Sequence, residues 1–219
     1  MKLFLDTASL EFINHWKNTG LIDGVTTNPT HLSKEGSNPR EVVLAICDAL
    51  PNGEISVEIT EKEPEAVYNQ AKKIANLSSN IIVKVPCHKK YYGIIHRLVQ
   101  EGVLLNITLV FTLMQAVAMA KLGVRYVSPF IGRLDDNGED GLGLIYDMRQ
   151  VFDRYGFKTG ILSASIRSIA HVQGALMAGT DAITIPMNLF PTLFDHPSTD
   201  RGMELFDADW AKVGGTTFP

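Results

Sequence analysis

A repeated order constrains this chain most: a short β-rich run followed by a longer helical pattern, recurring along its whole length. Strands are expected at residues 2–5, 24–26, 55–58, 81–85, 104–107, 126–127, 160–163 and 182–185. Several are near-continuous Val, Ile and Leu runs, such as Ile81-Ile82-Val83, which is how strands covered on both faces read. Amphipathic helices are expected at 64–76, 93–101, 112–122, 141–155 and 168–178. Pro64 suits a first helical position, where its missing N–H costs nothing. Gly102, Gly123 and Gly179 fall just past helix ends, where a left-handed cap favours glycine.

Eight strands alternating with helices predict an α/β chain folded as a single (β/α)8 TIM barrel over residues 1–219. That length suits one such domain. The rival is an open doubly wound sheet, which usually carries a glycine-rich loop after its first strand. Here the first strand runs into Leu5-Asp6-Thr7-Ala8. The glycine spacing in 138–143 is not the dinucleotide fingerprint. An extra C-terminal helix is expected at about 199–213. Its Phe206 and Trp210 are four apart and share a face, for packing on its own barrel or on a neighbouring subunit.

The net charge of −4 and pI of about 5.9 argue against general nucleic-acid binding, which needs a basic patch. They leave room for a small anion held by a few arginines. No stretch reads as a membrane span, and MKLFLD does not read as a signal peptide, so a cytoplasmic location is expected. Cys47 lies in an apolar helical pattern and reads as a small buried hydrophobe. Cys87 precedes His88, a pair that could serve as nucleophile and base or as metal ligands. No further Cys or His stands at ligand spacing, so no metal is expected.

Barrel enzymes place their chemistry at the C-terminal ends of the strands. Seven of the eight expected strands lead there into polar or charged residues, and the eighth ends at apolar Pro186-Met187. Lys84 is the sharpest of them, because lysine is almost never buried in a core strand unless paired. Loss of hydration favours its neutral amine, which can attack a ketone and form an imine. An edge-strand lysine, or a buried ion pair with Asp6 or Glu58, explains the same residue equally well when the strand is read alone. Asp6 and Glu58, on two other strand ends, are a candidate acid–base set; helix capping is their alternative. Asn28, Asn106 and Thr108 suit sugar hydroxyls or a held water, although turn chemistry competes at Asn28, before Pro29. Arg133, Ser165 and Arg167 look like an anion site on the late strands, with surface salt bridges as the alternative. The acidic stretch Asp135, Asp136, Glu139 and Asp140 lacks the glycine placement of a calcium loop and reads as solvated.

In order along the chain, Leu5-Asp6-Thr7-Ala8, Gly24-Val25-Thr26-Thr27-Asn28-Pro29, Val57-Glu58, Val83-Lys84-Val85-Pro86, Asn106-Ile107-Thr108-Leu109, Val127-Ser128-Pro129-Phe130-Ile131-Gly132-Arg133 and Ala164-Ser165-Ile166-Arg167 resemble the small transaldolase family. That family comprises transaldolases and fructose-6-phosphate aldolases, and the resemblance spans essentially the whole chain. It implies a TIM barrel with no metal or organic cofactor. It implies that Lys84 forms the Schiff base, that Asp6 is the acid–base aspartate, and that Glu58 and Thr108 position a water and move protons. It places Asn28, Asn106 and Ser128 around a dihydroxyacetone unit, and Arg133, Ser165 and Arg167 around phosphate. Phe130 and Glu58 match the transaldolase branch, since the aldolase branch carries tyrosine and glutamine there. The resemblance also implies a ring-like homo-oligomer, with a decamer as the candidate assembly and the C-terminal helix crossing between subunits. The chain departs from the pattern at Cys87-His88-Lys89-Lys90-Tyr91-Tyr92, where relatives usually carry Thr and then Gly.

The expected reaction is therefore Schiff-base transfer of a three-carbon unit between sugar phosphates. Aldol cleavage by the same imine is the first alternative, and a catalytically silent sugar-phosphate-binding barrel the second.

Overall fold

The computed structural model describes residues 1–36 and 38–214. Eight parallel strands close into a barrel in sequence order: β1 (Lys2–Asp6), β2 (Gly24–Thr26), β3 (Glu54–Glu58), β4 (Ile81–Pro86), β5 (Leu105–Val110), β6 (Tyr126–Pro129), β7 (Gly160–Ser163) and β8 (Ala182–Pro186). Closure is made by β1 against β8, in register from Lys2 opposite Ala182 to Asp6 opposite Pro186. Helices α1 (Leu10–Lys17), α2 (Pro29–Lys34), α3 (Pro39–Ala49), α4 (Pro64–Ala75), α5 (Tyr92–Gln100), α6 (Leu113–Leu122), α7 (Ile131–Asp136), α8 (Gly141–Tyr155), α9 (Ile169–Met177) and α10 (Pro197–Ala211) follow the strands. The expected barrel is the fold observed, and each expected strand is present within a few residues of its expected bounds. The largest difference is β5, which runs on to Val110 through a register shift between Ile107 and Val110. That shift is an irregularity that hydrophobic patterning does not signal.

Local signals act where expected. Pro64 opens α4, and Gly102, Gly123 and Gly179 take φ of 77°, 84° and 86°. The helices bury their apolar faces on the outside of the barrel, where Ile13, Ile46, Val67, Leu98, Met119, Ile145 and Phe152 join the outward-facing strand residues in one core. Cys47 belongs to that core.

Inside the barrel, alternation with period two sorts the residues. Phe4, Ile82, Tyr126, Leu162 and Ala182 form a separate apolar cluster. Two positions further along their strands stand Asp6, Lys84, Ser128, Ala164 and Thr184. The interior is thus apolar below and mostly polar at the mouth. Space for the two large rings, Phe4 and Tyr126, comes from glycine. A Cβ on Gly24 would collide with the Glu54 carbonyl oxygen and lie 3.1 Å from the Phe4 ring, and one on Gly160 would lie 2.6 Å from the Tyr126 ring. Below them Glu54 accepts from Tyr126 Oη (2.7 Å) and Arg125 (2.8 Å) and pairs with Lys2 (2.9 Å), closing the barrel floor.

The C-terminal helix, expected at 199–213, starts two residues earlier, and none of its residues is fully buried. Met203, Leu205, Phe206 and Trp210 are all exposed. Among the described residues no helix is long and apolar enough to cross a membrane.

Gly24→Ala should destabilise the fold by about 3 kcal/mol, the upper end of overpacking costs, because a carbonyl oxygen has no freedom to yield. Gly93, in α5, has nothing within 4 Å of a built Cβ, so Gly93→Ala should be neutral or stabilising by up to about 1 kcal/mol. Chemical denaturation of the two variants checks the contrast.

Candidate active site

The barrel mouth encloses a cavity of ≈ 230 Å³. Nine of the eleven residues singled out from sequence line it: Asp6, Asn28, Lys84, Asn106, Ser128, Phe130, Arg133, Ser165 and Arg167. Glu58 and Thr108 do not line it; Glu58 is opposite Lys84 on β3, and Thr108 is opposite Pro86 on β5.

Lys84 is 7% exposed although it is charged. Its Nζ is held by Glu58 Oε2 at 3.1 Å and donates to the Thr27 carbonyl at 3.2 Å. Sheet register produces the first contact, because Glu58 is opposite Lys84 across β3 and β4. The buried ion pair weighed against reactivity is therefore real, and it places a carboxylate within reach of the amine's proton. On the other side Lys84 is opposite Asn106 of β5. Asn106 is fully buried; its amide donates to Ser56 Oγ at 3.2 Å, and its carbonyl accepts from Ser128 Oγ at 2.7 Å. This chain fixes which way the amide faces, and it employs Ser56, a residue the strand pattern did not single out.

Thr108 is 1% exposed, and its hydroxyl makes no hydrogen bond to the described residues. The residue after it, Leu109, takes φ of 57°. The irregularity in β5 is thus a backbone bend three residues past Asn106, on the strand next to the lysine's, of the kind that re-aims side chains beside sites.

Asp6 ends β1. Its Oδ1 accepts from Thr26 Oγ1 at 3.1 Å and lies 3.2 Å from His31 Nε2. Burial alone would raise this carboxyl. The hydrogen bond and charge of His31, the charge of Lys84 and the Thr26 bond outweigh burial and hold it below the ordinary carboxylate value. Thr26 Oγ1 also lies 2.6 Å from Thr184 Oγ1. Thr184 lines the cavity, so β8 does contribute a polar group. It sits two residues before the apolar strand end read from sequence, where period two from Ala182 would have found it. Asn28 lines the cavity and also caps α2, its Oδ1 accepting from His31 N at 2.9 Å, so the turn role and the site role coexist.

The two arginines arrive from neighbouring strands. Ile131 N donates to the Ala164 carbonyl at 3.1 Å and Gly132 N to the Ser165 carbonyl at 3.0 Å, tying α7 to the loop after β7. A Cβ on Gly132 would strike that same carbonyl and lie 2.7 Å from Arg167 Nε. Ser165 takes φ of 58°, a conformation rare outside glycine. Arg133 is exposed, with its guanidinium 5.0 Å from the centroid of Phe130. Arg167 pairs with Asp136. Both partners are half exposed, so the pair holds Arg167 by only about 0–1 kcal/mol.

The features left aside in the sequence keep to structural work. Cys87 is buried, and burial pushes its thiol up. His88 is exposed and caps a short 3-10 turn through Lys90 N. In the acidic stretch Asp135 pairs with His171, Asp136 with Arg167, and Asp140 caps α8. Among the described residues no group of three or more acidic, His or Cys side chains could hold a metal.

A buried lysine paired with a carboxylate, a second carboxylate and two arginines thus converge on one barrel mouth. The sequence family described as Transaldolase/Fructose-6-phosphate aldolase matches residues 3–217. The chain is 45% identical over 214 residues to a probable transaldolase of Caulobacter sp. (strain K31), covering 98% of each. It is 46% identical over 216 residues to one of Lactiplantibacillus plantarum, covering 99% of each. It is 45% identical over 210 residues to probable transaldolase 2 of Listeria monocytogenes, covering 96% of each. Among solved structures, 3-hexulose-6-phosphate synthase superposes with a TM-score of 0.62 at 16% identity, over 85% of this chain and 90% of that one, a likeness of fold alone. The chain belongs to the transaldolase/fructose-6-phosphate aldolase family.

Proposed function

We propose that this protein is a transaldolase, moving a dihydroxyacetone unit from a ketose phosphate to an aldose phosphate through an imine on Lys84. The observation that carries this reading is Lys84 itself, buried at the cavity floor with Glu58 3.1 Å from its amine. Glu58 takes the amine's proton. Nζ then attacks the C2 carbonyl of the donor, and loss of water leaves an iminium. Asp6 removes the C4 hydroxyl proton; the C3–C4 bond breaks, and its electron pair flows into the iminium to give an enamine. The aldose phosphate departs. The enamine carbon attacks the acceptor aldehyde, Asp6 returns the proton to the new hydroxyl, and water hydrolyses the imine. Glu58 and the Thr108 hydroxyl hold that water.

Asn28, Asn106 and Ser128 bind the hydroxyls of the three-carbon unit. Arg133, Ser165 and Arg167 bind the phosphate, Arg167 exchanging its weak pair with Asp136 for a charge-assisted one. Sedoheptulose 7-phosphate and fructose 6-phosphate are the donors, and glyceraldehyde 3-phosphate and erythrose 4-phosphate the acceptors, in the non-oxidative pentose phosphate pathway of the cytoplasm. The chain works as one barrel domain within a homo-oligomer, a decamer being the candidate. The exposed Met203, Leu205, Phe206 and Trp210 of α10 suit packing on a neighbouring subunit. No organic cofactor enters the scheme.

Transfer requires that the enamine outlive its own protonation. Phe130, on the cavity wall and packed edge-on against Phe111 at 5.9 Å, has no proton to give. That favours transfer over the lyase reaction of the same family.

Product analysis with fructose 6-phosphate tests the assignment. Erythrose 4-phosphate should convert it to sedoheptulose 7-phosphate, with little free dihydroxyacetone. Dihydroxyacetone release regardless of acceptor would make the protein an aldolase, and no product at all would make it a silent sugar-phosphate-binding barrel. Phe130→Tyr should raise dihydroxyacetone release relative to transfer; an unchanged ratio would remove the phenol argument.

A further inference from the structure

His31, beside Asp6, is a titratable group that neither the strand ends nor the scheme above accounts for. It lies on α2, outside the barrel strands, with its side chain 22% exposed. Two local bonds fix it. Its backbone N–H is capped by Asn28 Oδ1, and the next residue, Leu32, donates to the Asn28 carbonyl and is buried in the core. The imidazole is thereby carried over the end of β1, where Nε2 meets Asp6 Oδ1 at 3.2 Å.

Asp6 Oδ1 thus has two donors, Thr26 Oγ1 and His31 Nε2, while Oδ2 makes no hydrogen bond to the described residues. The carboxylate can only accept, so the proton sits on Nε2. A carboxylate held through one oxygen presents the other. We propose that His31 is the positioning residue for Asp6, holding Oδ1 so that Oδ2 faces the cavity as the ionised oxygen that accepts the substrate's hydroxyl proton. This rests on the transaldolase reading for the identity of that proton. The pairing of His31 with Asp6 does not depend on it.

The surroundings leave His31 as the adjustable partner. Lys84 reaches Asp6 electrostatically from β4 but is bound to Glu58 of β3, and Thr26 from β2 is uncharged. Elsewhere on α2 and on the neighbouring α3, the charged Lys34, Arg40, Glu41 and Asp48 are exposed, as is Glu35 at the end of α2. The downward shift of Asp6 agrees with a donor that stabilises its anion, and His31 is the foremost of the groups that lower it.

His31→Leu removes the donor, and His31→Gln keeps a donor that does not titrate. In the full-length protein with ¹³C-labelled aspartate carboxyls, Asp6 is assigned by its loss in Asp6→Asn. Its titration midpoint should rise by about one pH unit in His31→Leu, a ten-fold change in the ionised fraction below the midpoint. It should rise by less in His31→Gln, which keeps the donor but not the charge. The acid limb of kcat for fructose 6-phosphate should move with it, with KM little changed. An Asp6 midpoint unmoved by His31→Leu overturns the proposal whatever the protein catalyses. If no variant, nor the wild type, turns over the sugar, the transaldolase reading fails and the carboxyl titration still decides the role of His31.

Discussion

The buried pair between Lys84 and Glu58 is the interaction on which the rest of the site depends. Each charge alone would be costly at that depth, and removing either partner from such a pair typically costs about 3–5 kcal/mol. The barrel accommodates both because adjacent strands place them in register, and the Thr27 carbonyl takes a further ammonium proton. The same register sets Asn106 on the other side of the lysine, held by Ser56 and Ser128. The Lys84 amine is thus kept in one place by groups that are themselves fixed.

That arrangement requires a barrel whose interior changes character along its axis. Phe4 and Tyr126 fill the lower part, at the expense of side chains at Gly24 and Gly160. One pleat higher, the same strands carry Asp6 and Ser128. Polar groups at the mouth and aromatic rings beneath them are therefore consecutive interior positions of the same strands. The mouth and the packing below it are coupled at a spacing of two residues.

Much of this was legible in the sequence because strand ends in a barrel converge. A polar residue after an apolar run, as at Asp6 or Asn106, has one mouth to face. Legibility failed where the signal was not at a strand end. Thr184 is interior by period two but stands inside an apolar run. Ser56 is a small hydroxyl between Ile55 and Val57 and resembles a tolerated polar residue. His31 sits on a helix, and only the cap at Asn28 directs it to Asp6. The bend at Leu109 is a backbone event with no residue type to announce it. The pairing of Arg167 with Asp136 depends on two loops meeting, which spacing along the chain does not encode.

Everything in the account turns on whether Lys84 is a nucleophile or only a buried cation. Reduction with borohydride in the presence of fructose 6-phosphate, followed by peptide mass analysis, separates the two. The account predicts a reduced dihydroxyacetone adduct on Lys84. Absence of any adduct, or an adduct on another lysine, would contradict it.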